Sequence, residues 1–423
     1  MMETPYDTSS RELRGWFLLA LGFLGVAGVI GALLRLIYVV EMPWLLFKPW
    51  LHAHSHVAML GWLFPGIVIA LLAQDERRLP KGFSIWMTLS MALVAGMLTS
   101  FPVQGYGGIS IACSTGQMIV GYILLARVWG HTRHWPARGS RLLARSAILF
   151  QITSTLGIWA MGPIMTSGLA GTEWYYWSIQ WFLHFQFNGW FWFAAMAIGS
   201  RWAERHGVDV RLDQLTTMLW MISAIITFAL AVAWSERLPI VLGINAAGVM
   251  LQFWAASRTL MAMRRAQPQA LVKTSRWMRV LIGVMLVAMA VKIGAQALVA
   301  IPAVANMALT LRNYVVGFVH LNTLGAITAL LFALALLKGW ADERRWIVRL
   351  GLVLFITGLV GSEVLLFLQG TCFWMGWGLI PGYYWALFIA SALLPMGVWT
   401  LFITFARRSS RLQGLQEAID RPS

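Results

Sequence analysis

Runs of about 20 apolar residues, the length that carries a helix across roughly 30 Å of hydrocarbon, recur along this chain from Leu13 to Ala406, joined by short polar connections. No other feature restricts the fold as strongly. Backbone N–H and C=O groups inside a bilayer find no water, so they must bond within helices or a closed barrel, and runs of this length select helices. Of 423 residues, 59% are apolar and 11% charged, against about 25% charged in soluble domains. The expectation is an all-α, polytopic membrane protein of about twelve transmembrane helices. We place them near 13–40, 50–73, 83–102, 109–129, 143–166, 175–200, 215–235, 238–262, 277–300, 310–337, 346–368 and 382–406. A single membrane domain over 13–406 then lies between a cytoplasmic N-terminus (1–12) and a cytoplasmic tail (407–423).

The net charge of +16 would suit a nucleic-acid binder if it were clustered on one surface. It is instead distributed over alternate loops: Arg77, Arg78 and Lys81; Arg133, Arg138 and Arg141; Arg201, Arg205 and Arg211; Arg264, Arg265 and Lys273; Arg344 and Arg345. Arg11, Arg14, Arg407, Arg408 and Arg411 add to the termini, while the other loops hold little beyond Lys48, Arg237 and Arg312. Short loops rich in Lys and Arg stay on the cytoplasmic side. Both termini are therefore expected in the cytoplasm, with an even number of spans, in a membrane of the bacterial inner-membrane type and with no nucleic-acid partner.

Leu13 to Val40 is long and is followed by no small-residue cleavage site, so the first span is expected to be retained. Cys113 and Cys372 form no CxxC or CxxCH pattern, which leaves covalent haem attachment without support and two unpaired thiols as the simpler expectation over a disulfide. Aromatic groups such as Trp174-Tyr175-Tyr176-Trp177 and Phe373-Trp374 suit an interfacial belt.

Five of eight histidines lie in or at the mouth of apolar spans, where polar side chains are costly and commonly functional; His131, His134 and His206 fall in basic loops. His56, His184 and His320 each begin an H-x-x-x-x-G pattern, ending in Gly61, Gly189 and Gly325. They are 128 and 136 residues apart, four spans each time. That spacing predicts three pseudo-repeats of four helices, about 13–129, 143–262 and 277–406. It also predicts one common depth for the marked histidines, in the outer half of the membrane. The second span adds His52 and His54. Positions four apart share a helix face and positions two apart do not, so His52 and His56 should face one neighbour and His54 another. Neutral imidazole ligates haem iron and also suits copper.

In its helix count, its three sets of four and its histidines on spans two, six and ten, the chain resembles subunit I of the haem-copper oxidase superfamily. The segment His54-Ser55-His56-Val57-Ala58-Met59-Leu60-Gly61-Trp62 is similar to the H-x-H segment of C-type oxidases, and also to that of the NnrS family of haem-copper membrane proteins linked to nitric oxide stress. The resemblance implies haem ligation at His54 and His56, with His184 and His320 as opposite axial ligands to one or two b-type haems. It implies an oxidoreductase or electron-transfer role towards nitric oxide or oxygen, fed by a donor protein or quinol and assisted by a further membrane subunit. The chain departs from the oxidases at span seven, which has no histidine, so the usual three-histidine copper site is missing. Copper then falls to the set His52, His54, His56, His184 and His320, and His52 equally suits an interfacial hydrogen bond.

Arg35, Arg237 and Arg312 are candidates to pair with anionic haem propionates, or to snorkel to the interface. Lys292 and Glu363 lie deeper and suit a mutual pair, a proton path or a ligand role, and Asn188 and Asn322 suit helix bridging. A secondary transporter also accommodates twelve helices, although such proteins usually repeat as two halves of six. Haem or copper handling without turnover is the third class.

Overall fold

The computed structural model describes residues 5–419, apart from 76, 136–137, 209, 211, 236–237 and 267–273; the side chains of 5–8, 138, 309 and 407–419 are also outside the description. Arg211, Arg237 and Lys273, and the side chains of Arg138, Arg407, Arg408 and Arg411, therefore lie outside the described residues. Among the described residues the chain is helical with no strand, and eleven helices are long and apolar enough to cross a membrane. In chain order the elements are α1 (Pro5–Leu36), α2 (Phe47–Leu72), α3 (Phe83–Gln104), α4 (Gly108–Thr132) and α5 (Arg138–Thr166). There follow α6 (Glu173–Phe185, Gln186–Trp190 and Phe191–Arg205 in succession), α7 (Gln214–Val232), α8 (Pro239–Arg265), α9 (Arg276–Leu298) and the short α10 (Pro302–Thr310). Last come α11 (Arg312–Leu337), α12 (Trp346–Trp374) and α13 (Tyr383–Ile419).

The chain is thus an all-α, multi-pass membrane protein. Of the expected spans, only 175–200 is missing from the eleven. It lies on α6, which at 1.5 Å per residue is about 50 Å long and so has ample length. Its shortfall is in apolarity, because His184, Gln186 and Asn188 interrupt the aromatic run.

Three helices share an irregularity. In α2, α6 and α11, π-helical stretches occupy Val57–Leu63, Gln186–Trp190 and Leu321–Thr328. Each begins one or two residues after His56, His184 or His320 and contains Gly61, Gly189 or Gly325. A π-turn adds a residue to the hydrogen-bonded ring and is uncommon outside functional sites.

The chain forms two compact units, Met1–Leu124 with Leu331–Ser423 and Leu125–Leu330. Between helices in lipid, association comes from close van der Waals packing rather than from removing surface from water, so small residues mark the contacts. In the first unit a Cβ on Gly397 would lie 2.6 Å from the Gly351 carbonyl oxygen, and one on Gly358 would lie 2.9 Å from that of Ala390, so α12 and α13 touch backbone to backbone. On α1, Gly25 and Gly28 receive Trp399 and Pro395 of α13, with would-be Cβ contacts of 2.7 and 3.1 Å. In the second unit Gly157 of α5 fits under the Ser178 carbonyl of α6, where a Cβ would come within 2.3 Å. Gly61 and Gly189 likewise receive side chains, Val94 with Phe23 and Phe150 respectively. Both thiols are free, Cys372 buried and Cys113 partly so.

Helix α7 is capped by Asp213, whose carboxylate accepts the Thr216 amide at 2.8 Å and also takes the Thr216 hydroxyl and the Arg258 guanidinium. The Thr216 bonds, with a smaller contribution from Arg258, hold the Asp213 carboxyl below the usual carboxylate range. A depressed folded value means that the stabilisation is complete above the unfolded value and is lost as pH falls through the folded one. Asp213→Ala should therefore lower stability by about 1 kcal/mol at neutral pH, the usual worth of such a cap. Thermal unfolding in detergent should show that difference shrink below about pH 4; a difference independent of pH would contradict the assignment.

Candidate histidine centres

The first unit holds His52, His54 and His56 on the α-helical opening of α2. The His54 ring turns towards α1, where its Nδ1–H donates to the Ala27 carbonyl at 2.8 Å. That bond leaves Nε2 as the lone-pair nitrogen, and among the described residues it has no hydrogen-bond partner. Gly31, one turn beyond Ala27, makes room for the ring: a Cβ there would lie 2.8 Å from His54 Cε1. His56 is arranged alike, Nδ1 donating to the His52 carbonyl of its own helix at 2.9 Å. His52 and His56 share a face against Tyr106 and Phe101, with ring centroids 4.6 Å apart for His52 and Tyr106 and 4.4 Å for His56 and Phe101, as a period of 3.6 residues requires. The three rings are half-buried.

Arg35, one turn beyond Gly31 on α1, is the charged neighbour of both His54 and Glu363. Glu363, on α12, is buried with 8% of its surface exposed, and neither of its carboxylate oxygens has a hydrogen-bond partner among the described residues.

In the second unit His184 belongs to a polar chain that includes Asn188, Lys292 and Gln296. The Asn188 Oδ1 accepts from Lys292 Nζ at 2.7 Å and from Gln296 Nε2 at 2.8 Å, which fixes the amide so that its Nδ2 faces His184 Nδ1 at 3.2 Å. With Nδ1 accepting, the His184 proton resides on Nε2, which donates to the Ala224 carbonyl at 2.8 Å. Both ring nitrogens are thus engaged. Lys292 is 1% exposed, bonded also to Gln296 Oε1 at 2.7 Å, and lies 4.6 Å from the centre of the Trp192 ring. Its surroundings are neutral amides and aromatic faces, which stabilise an ammonium by hydrogen bonding and cation–π attraction.

His320 closes the α-helical part Arg312–His320 of α11 immediately before the π-helical stretch, and is half-buried. Arg312 is exposed at the start of that helix. Asn322 bonds the Phe318 carbonyl of its own helix at 2.6 Å, while Asn188 does bridge helices. Among the described residues no group of three or more His, Cys, Asp or Glu side chains is placed to hold a metal ion; axial ligation of haem needs only one or two imidazoles.

The bonds to Ala27 and the Lys292–Asn188 bridge were not legible in the sequence, because both join residues far apart along the chain. One signal was present: Gly22, Gly25, Gly28 and Gly31 recur every third residue. A helix turns about 300° in three residues, so the last of the four faces roughly opposite to the first. That carries the glycine stripe from α13 round to His54.

The fold and these centres define a class, an all-α multi-pass membrane protein with imidazoles and isolated charges embedded in its spans. No protein-family model matches the chain, and no curated protein matches it in sequence.

Proposed function

We propose that this chain is a haem-binding integral membrane protein of the oxidoreductase or electron-transfer kind, with His54 and His56 as axial ligands and His320 as a further one. The carrying observation is the state of the His54 imidazole. Its Nδ1–H is anchored on a backbone carbonyl, its Nε2 lone pair is without a hydrogen-bond partner among the described residues, and Gly31 seats the ring. Metal-ligating histidines characteristically donate their other ring N–H to a carbonyl or carboxylate, which fixes the tautomer and raises basicity, and His56 repeats that arrangement. The donor set therefore fits haem. Bound there, the iron supplies a one-electron centre whose potential follows from its axial ligands and their hydrogen bonds. The chain's own residues orient the imidazoles and, through Arg35, place a positive charge near His54. His184 would have to give up the bond from Asn188 to bind iron, so we leave it in the polar chain.

The three π-helical stretches behind His56, His184 and His320 support a threefold arrangement of four-helix sets, with α6 as the twelfth span; the Lys- and Arg-rich alternate loops are what support both termini in the cytoplasm of a bacterial inner membrane. Nitric oxide or oxygen is the substrate class we propose.

The test is an absorption spectrum of detergent-purified protein, oxidised and dithionite-reduced, with a pyridine haemochrome assay. Soret and α bands of b-type haem at about one or two per chain are the expected result. A colourless protein that reconstitutes neither haem nor copper would overturn the proposal and favour the transporter class, which also accommodates charges buried in spans.

A further inference from the structure

Glu363 is a charged group embedded in a described span whose chemistry is unfinished. It lies in the middle of α12, ten or more residues from either end of the helix. It is 8% exposed, and neither carboxylate oxygen has a hydrogen-bond partner among the described residues. Buried carboxylates ordinarily accept several hydrogen bonds, because taking an ion from water without replacing those bonds is prohibitive. The acceptors of Glu363 thus await something the described residues do not supply.

A metal cation does not answer this. Hard cations need six or more oxygen ligands, no cluster of acidic or imidazole side chains is assembled there, and the charged neighbour of Glu363 is the guanidinium of Arg35, which would repel one. A proton does answer it: it requires a single oxygen and turns an ion into a neutral acid. When the carboxyl ionises, Arg35 provides the compensating charge. Arg35 is also the charged neighbour of His54 in the same unit.

We propose that Glu363 is a proton-binding site within the membrane, its carboxyl taking a proton from water and returning it to water, with Arg35 balancing the ionised form. The inference does not rest on haem being present.

Full-length protein in native membranes should be treated with an apolar carbodiimide, which reacts with protonated carboxyls in apolar surroundings, and mapped by peptide mass spectrometry. The expected result is an adduct on Glu363 that falls as pH is raised, is at least tenfold less with a water-soluble carbodiimide, and disappears in Glu363→Gln. Arg35→Gln, which removes the compensating charge, should extend labelling to higher pH by a factor of about ten in proton concentration. Infrared difference spectra between acid and alkaline pH should contain a carboxylic C=O band that Glu363→Gln removes and Glu363→Asp shifts; the aspartate variant provides the reading if the glutamine variant fails to fold. Absence of an adduct on Glu363 at every pH, with infrared differences unchanged in the variants, would overturn the proposal, whatever the haem content of the preparation.

Discussion

His54→Ala should remove the low-spin signal of the haem that His54 holds, with affinity at that site falling by at least about tenfold. An alanine cannot ligate iron. The sharper experiment leaves the imidazole in place. At Gly31 a Cβ would lie 2.8 Å from His54 Cε1, so Gly31→Val forces the ring off its seat and breaks the Nδ1 bond to Ala27. Perturbing the support of a ligand typically weakens metal affinity by about 10- to 100-fold. Haem occupancy measured against total protein should therefore fall in both variants, while Gly15→Val, at a position where a Cβ meets nothing within 4 Å, leaves it unchanged. Full occupancy with unaltered spectra in both His54→Ala and Gly31→Val would remove His54 from the ligand set.

The second large effect separates two residues that touch each other. Asn188 accepts from Lys292 and Gln296 and donates to His184, so Asn188→Ala strands several buried groups at once. Each unsatisfied buried group costs about 1–3 kcal/mol, more when charged, and a total loss on the order of 3 kcal/mol or more is expected. Lys292→Met acts differently. Gln296 still donates to Asn188, the His184 tautomer is kept, and a buried group bonded to amides, with no carboxylate beside it among the described residues, is replaced by an apolar chain of similar length. Replacing buried ionic groups by well-packed apolar ones is often neutral or stabilising, by up to about 4 kcal/mol. Unfolding midpoints in detergent should therefore drop for Asn188→Ala and hold or rise for Lys292→Met. A large drop for Lys292→Met would mean that the ammonium, rather than the amide, organises the chain of bonds.

Much of this protein is written in local patterns. Apolar run length announced the spans, since each depends only on consecutive residues and the thickness of the bilayer. The faces of His52, His54 and His56 followed from helical period. Span 175–200 shows the same rule under strain: its His184, Gln186 and Asn188 lower its apolarity because they turn inwards to bond other helices, so the helix is long while its composition falls short. The expected ligand role of His184 met a different obstacle. Its availability depends on Asn188, whose orientation in turn depends on Lys292 and Gln296, about a hundred residues further on. Neither spacing nor composition carries that information.

The sequence by itself determined that the chain is helical, that it belongs in a membrane, and which helices carry imidazoles, because those properties follow from the order of neighbouring residues. Only the tertiary structure decided which ring nitrogens are bonded to which carbonyl or amide, which glycine seats His54, and that Glu363 has no hydrogen-bond partner among the described residues. Those outcomes depend on which backbone carbonyl or amide a neighbouring helix presents at a few ångströms, and helices in lipid choose neighbours through packing between residues distant in the chain.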